Sequence, residues 1–303
     1  DSLYSMQGSL DPSVRSTYAT GFYPQHPRRC EEQIEAMLAN MPSHSPPFSS
    51  LLGGLVPHAG WVYSGATALR LWRTFAELSV PPEVIVLLGA VHRPGVHCAT
   101  LSAEDCWATP MGTLAVDEML RTSLMQRSEV ELLCDNQAHV GEHSIEVQLP
   151  FIRYLLPEVS ILPIQVPADS RSDALGLLLA SVIARDGRSI SVVASSDLTH
   201  YGSRYGFLPA GSGREALDFG RRNDQLLLDQ VHQLNPHGVL REAREHHNAC
   251  GSGALAAAIS CSRALGADAA SLLHHTTSNE SGPRLDPEPS MFVGYASMLL
   301  GRS

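Results

Sequence analysis

Short, almost wholly apolar runs bounded by turn residues constrain this chain more than any other feature. VIVLLG (84–89), VSILPIQV (159–166) and SISVVA (189–194) are too short for buried helices and carry little that suits a wet face. A strand can be apolar on both sides only where both faces of its sheet are covered, as in a parallel sheet between helical layers. The intervening segments supply those layers. Helical spacing of apolar residues covers 31–38, 64–78, 142–156, 170–185, 213–233 and 253–265, and further strands are expected at 51–56, 270–275 and 291–299. No internal repeat or long linker divides the 303 residues. The expectation is one α/β domain over 19–303, with a largely parallel central sheet flanked by helices, preceded by a loose, polar arm at 1–18.

Composition narrows the chemistry. An apolar content of 44% supports a sizeable core, and a formal net charge of −10 argues against nucleic acid or an anionic membrane as partner. No run approaches the roughly 18 apolar residues of a membrane span. Cys30, Cys98, Cys106, Cys134, Cys250 and Cys261 form no CxxC pair and are too sparse for a disulfide framework, which points to a reducing, cytoplasmic setting. The chain has no lysine: all 21 basic residues are arginine. Schiff-base chemistry, pyridoxal phosphate attachment and a P-loop lysine are thereby excluded. Histidine, at 14 residues, is the abundant catalytic side chain.

Ligands of open α/β sheets bind beyond the carboxyl ends of the strands. The run at 51–56 leads into His58, the run at 84–88 into His92, and the run at 189–194 into Ser195, Ser196, Asp197 and His200. Gly60 and Gly89, near two of these histidines, let backbone approach a bound group closely. Asp197 and His200 form a D-x-x-H unit, in which the carboxylate fixes the imidazole or else caps a following helix. In Glu142-His143-Ser144-Ile145-Glu146, His143 and Glu146 share one helical face, either as an H-x-x-E metal half-site or as a solvated helix start. Cys250, within EHHNACGSGAL (245–255), reads as a nucleophile, a thiolate ligand or a small buried side chain. His246 and His247 rank below it as supporting or surface residues. Trp61 and Tyr201 are candidates for pocket walls or for ordinary packing. No GxSxG follows a strand, so a serine hydrolase is not indicated.

Several segments together resemble the Memo protein family: VPHAGWVYSG (56–65), LLGAVH (87–92), ATPMGTLAVD (108–117), EHSIEVQLPF (142–151), SSDLTHYG (195–202), ACGSGAL (249–255) and FVGYASMLL (292–300). They occur in the family's order from about residue 21 to 300. The resemblance implies a fold similar to the class III extradiol dioxygenases, non-haem Fe(II) enzymes that open catechol rings. It also implies a metal triad of His58, His92 and Cys250, with His200 as the catalytic acid–base and Asp197 orienting it. His143 and Glu146 would support the ligands from behind. Where the family usually reads Gly-Pro-Ser-His, this chain has Gly89-Ala90-Val91-His92, so one hydroxyl near the site is lost. Cys250 stands where the extradiol enzymes carry a carboxylate, and its softer sulfur widens the metal from Fe(II) to copper or zinc.

The function so implied is a mononuclear non-haem oxidoreductase that takes a small phenolic or catecholic substrate together with O2. Two alternatives use the same cleft. One is a signalling module that holds iron or copper, or receives a peptide. The other is a zinc hydrolase whose metal lowers the pKa of bound water to about 7.

Overall fold

A computed structural model describes residues 11–303. In chain order the strands are β1 (Val14–Arg15), β2 (Ser50–Val56), β3 (Val84–Gly89), β4 (Ala99–Leu101), β5 (Cys106–Thr109), β6 (Gly112–Ala115), β7 (Leu132–Cys134), β8 (Ser160–Gln165), β9 (Ile190–Ser195), β10 (His200–Tyr201), β11 (Ala269–Thr277) and β12 (Phe292–Arg302). The α-helices are α1 (Pro27–Ala39), α2 (Trp61–Ala76), α3 (Glu118–Met125), α4 (Leu149–Leu155), α5 (Arg171–Asp186), α6 (Arg214–His232), α7 (Pro236–His246), α8 (Ser252–Ala264) and α9 (Ser278–Ser281).

The apolar runs become the centre of the main sheet, where β2, β9, β3 and β8 lie side by side and parallel. Antiparallel strands finish both flanks: β12 pairs with β2 and β4 with β8. The register aligns the carboxyl ends, pairing Val56 with Ser195, Leu88 with Ala194 and Gly89 with Gln165. Whatever follows those residues is therefore delivered to one edge of the sheet. Neighbouring residues of β2 show how the two faces are covered. A Cβ on Gly53 would meet Ser262 of α8 at 2.8 Å, and one on Gly54 would meet Leu71 of α2 at 2.4 Å. Successive strand residues point to opposite faces, so α8 and α2 cover opposite sides, and the glycine pair lets both approach closely.

Three expectations are revised. Part of the supposed loose arm is held in place: Val14 and Arg15 pair with Cys106 and Trp107, and β1, β5 and β6 form a small separate sheet. Residues 1–10 of that arm lie outside the described residues. The helix expected over 142–156 is confined to a 3-10 turn at Glu146–Gln148 and to α4. The Glu142 carboxylate accepts the Ser144 amide at 2.9 Å, a local bond that competes with helix formation. Conversely, no helix is expected between 233 and 253, yet Asn235-Pro236 starts α7: Asn235 caps the Gly238 amide at 3.0 Å and Pro236 occupies the first turn, where its missing N–H costs nothing. Among the described residues no helix is long and apolar enough to cross a membrane.

Candidate metal centre

The aligned strand ends bring three imidazoles together. His58 follows β2, His92 follows β3, and His143 comes from the turn that Glu142 stabilises. One ligand atom from each lies within 4.8 Å of the others. Ring centroids are 5.1 Å apart for His58 and His92, 5.4 Å for His58 and His143, and 4.7 Å for His92 and His143. The His58 side chain is 2% exposed, against 33% for His92 and 23% for His143, so the cluster opens on the side of the latter two. Phe22 stacks on His143 at 4.4 Å and covers part of that opening.

Hydrogen bonds fix which nitrogen carries the proton in two of the rings, His58 and His92. The Ser195 hydroxyl donates to the Ser144 carbonyl at 2.7 Å, so it must accept at its 2.8 Å contact with His58 Nδ1. His58 therefore carries its proton on Nδ1 and leaves a lone pair on Nε2. His92 Nδ1 lies 3.0 Å from the Glu142 carboxylate, which can only accept, and the His92 amide donates to the same carboxylate at 2.9 Å. Its Nε2 is free in turn, in the carboxylate–histidine arrangement usual for metal ligands. Burial lowers the pKa of His58 well below the ordinary histidine value, and burial pushes His143 down to about 4. Both rings are thus neutral and able to donate lone pairs. Burial works against protonation of His92 as well, yet Glu142 outweighs it and the net shift is upward. Burial likewise opposes ionisation of Glu142, but the His92 ring and the amides of His92 and Ser144 hold it well below the usual carboxylate range. Imidazoles of which two have Nδ1 tied to protein acceptors, gathered within ligand distance of one another, fit a transition-metal ion.

Cys250 meets this cluster at His58, with Sγ 3.2 Å from Nε2. Burial pushes its thiol pKa up, so deprotonation would accompany metal binding. Asp197 ties the two together. Its carboxylate accepts the His58 amide at 2.7 Å, its own amide donates to Cys250 Sγ at 3.3 Å, and its carbonyl accepts the Cys250 amide at 3.3 Å. Gly251 is required beside it, because a Cβ there would lie 2.3 Å from the Ser195 carbonyl oxygen.

Other candidate residues are placed differently from their sequence reading. Asp197 neither caps a helix nor bonds His200; the His200 ring is held by the Leu198 carbonyl, 3.0 Å from Nδ1, which leaves Nε2 free. Tyr205 stands edge-on to that ring at 5.0 Å. His143 is not set behind the ligand atoms but among them. Glu146 is turned away from the cluster, since the backbone there is a 3-10 turn rather than the start of an α-helix. Its carboxylate accepts from Arg15 at 2.7 Å and from Tyr23 Oη at 2.9 Å. Trp61 and Tyr201 are packing residues: Trp61 stacks on Phe151 at 4.2 Å and Tyr201 on Phe292 at 4.7 Å. His246 faces Glu242 at 2.7 Å at the end of α7, and His247 caps that helix at φ 51°.

The roles of several residues in the site have no local signal in the sequence. Ser195 and Glu142 lie in segments the sequence singles out, yet nothing there marks them as the groups that orient the histidines. Asn223 and Asp224 of α6 sit beneath the segment after β9. Asp224 accepts the Thr199 amide at 2.9 Å and contacts His275 Nε2 at 2.8 Å. Asn223 donates to Thr199 Oγ1 at 3.1 Å and to the His246 carbonyl at 2.9 Å, and its carbonyl accepts from Asn248 at 2.9 Å. The arms bearing His200 and Cys250 are thus fastened to one point on α6. Only the period-breaking burial of two polar residues on an amphipathic helix could have flagged them.

Comparison with known proteins identifies relatives of this chain. A MEMO1 family protein of Pyrococcus horikoshii is 37% identical over 261 residues, covering 84% of this chain and 88% of its own length. One from Sulfolobus acidocaldarius is 31% identical over 298 residues, covering 93% and 97%. A crystal structure of an uncharacterized protein from Escherichia coli K12 aligns with a TM-score of 0.49 at 14% identity, covering 83% of this chain and 100% of its own. The family model for Memo-like proteins matches residues 15–299, and on that match and those relatives the chain belongs to the Memo-like protein family.

Proposed function

We propose that the chain is a mononuclear metal-dependent oxidoreductase with dioxygenase-like chemistry, acting with O2 on a small phenolic or catecholic substrate. One observation carries the proposal. His58 and His92 commit their Nδ1 protons to Ser195 and Glu142, and their Nε2 lone pairs share one space with His143 and, through His58, with Cys250. Bound there, a transition metal supplies Lewis acidity toward substrate oxygens and, as iron, redox contact with O2. His58, His92 and Cys250 are the donors proposed for it, with His143 as a fourth or exchanging imidazole. Fe(II) is the first choice of metal, and the soft Cys250 sulfur keeps copper and zinc as alternatives.

His200 supplies the acid–base function in this reading. With its Nδ1 proton on the Leu198 carbonyl, its Nε2 can accept a proton from a substrate hydroxyl and return it later. Asp197 keeps the His58 and Cys250 loops in register rather than orienting the base. Tyr205 stands edge-on to His200, and Phe22 stacks on His143. Anaerobic reconstitution with Fe(II), followed by oxygen-uptake measurements over a catechol and phenol panel, tests the proposal. Metal-dependent uptake that His200→Ala abolishes is expected. Protein that holds stoichiometric iron or copper and consumes no oxygen with any substrate would refute it.

A further inference from the structure

Beside the histidine cluster lies a cavity of about 540 Å3, bounded by α7, the loop that follows β8 and the start of α8. Cys250 forms part of its wall and also touches His58 Nε2 at 3.2 Å, so a single side chain links cavity and cluster. Arg241 and Arg244 line the α7 side, three residues apart and therefore on one helical face. Both are exposed, and among the described residues neither forms an ion pair. Of the acidic groups nearby, Asp169 on the facing wall is taken by Arg171 at 2.8 Å, and Glu242 on α7 is buried. His237 also lines the cavity, with Asp173 3.5 Å from its ring. In a chain of net charge −10, two unpaired guanidinium groups on one concave surface reverse the local sign and favour an anion there. Their forked donors match the oxygens of carboxylate and phosphate.

We propose that this cavity holds the oxyanionic end of the ligand handled at the neighbouring cluster, a carboxylate or phosphate group on a small organic molecule, through Arg241 and Arg244. The assignment rests on reading the histidine cluster as the reaction centre, but anion binding is measured without turnover. Calorimetric titration of zinc-loaded protein at low salt compares 4-hydroxybenzoate with 4-hydroxybenzamide, and phenyl phosphate with phenol. At least one anion should bind about tenfold more tightly than its neutral counterpart, with an advantage that shrinks as salt is added. The pair with the larger advantage identifies the headgroup. The advantage should vanish in the double variant Arg241→Gln/Arg244→Gln, whose melting temperature should match the parent because both side chains are exposed. Equal binding of anions and neutral analogues, or an advantage that survives in the double variant, overturns the assignment. Absent oxygen uptake with the anion preference intact would sink the oxidoreductase reading alone, and uptake without the preference would sink only the cavity's role.

Discussion

Replacing Glu146 with alanine should cost this protein a large part of its stability while leaving the histidine cluster in place. The Glu146 side chain is 0% exposed and Arg15, its partner at 2.7 Å, is 4% exposed. The carboxylate also accepts from Tyr23 Oη at 2.9 Å, the Ala19 amide at 2.8 Å and the Tyr18 amide at 3.0 Å. Arg15 cannot swing out to water when its counter-charge is removed. Its remaining donors are tied to the carbonyls of His139 at 2.7 Å and Glu142 at 2.9 Å, and its guanidinium lies 4.0 Å over the Trp107 ring. Removing one member of a buried pair costs about 3–5 kcal/mol, because the other charge stays buried without compensation. The orphaned Tyr23 hydroxyl and Ala19 amide add to this, less whatever water entering the space restores.

Against a typical domain stability of about 5–15 kcal/mol, that loss should lower the melting temperature of a chain this long by roughly 5–8 °C. Urea unfolding followed by circular dichroism gives the free energy, and elemental analysis of the folded variant gives metal content. The double variant Arg15→Met/Glu146→Leu should recover most of the loss, since removing both charges leaves nothing uncompensated. A loss below about 1 kcal/mol would refute the energetic argument. Depletion of metal from folded Glu146→Ala would restore the H-x-x-E half-site instead.

Three further outcomes follow from the same geometry. Ser195→Ala removes the acceptor that fixes the His58 tautomer at 2.8 Å, so affinity for Zn(II) or Co(II) should fall about 10–100-fold in a chelator competition; an unchanged constant would break the tautomer argument. Burial lowers the pKa of His139 from 6.5 to about 4, so the unfolded chain binds more protons than the native one between those values. Its contribution is therefore complete above pH 6.5 and is lost as pH falls toward 4, by up to about 1.4 kcal/mol per pH unit, and the stability difference between parent and His139→Gln should change with pH only in that window. Asn223→Ala cuts the bonds at 3.1 Å and 2.9 Å that fasten the arms bearing His200 and Cys250 to α6. It should weaken metal binding and destabilise the fold by about 1–3 kcal/mol, and intact affinity in the folded variant would show that α6 does not position the site.

The sequence by itself determined the layered α/β architecture, because runs such as VIVLLG at 84–89 can be buried on both faces only inside a covered parallel sheet. It also determined that His58, His92 and the Asp197–His200 segment would gather, since strand ends in such a sheet share one edge, and the quoted motifs carried the family. Only the tertiary structure decided what each side chain does there. Hydrogen-bond partners distant in the chain, Ser195 for His58 and Glu142 for His92, set the free nitrogens. A local bond from Glu142 to the Ser144 amide stopped the expected helix, moved His143 in among the ligand atoms and sent Glu146 to Arg15. Periodicity reports which face of an element is buried. A hydrogen bond between residues as far apart as Cys250 and His58 depends on where two loops end, and that position is set by the packing of the whole sheet and its helices.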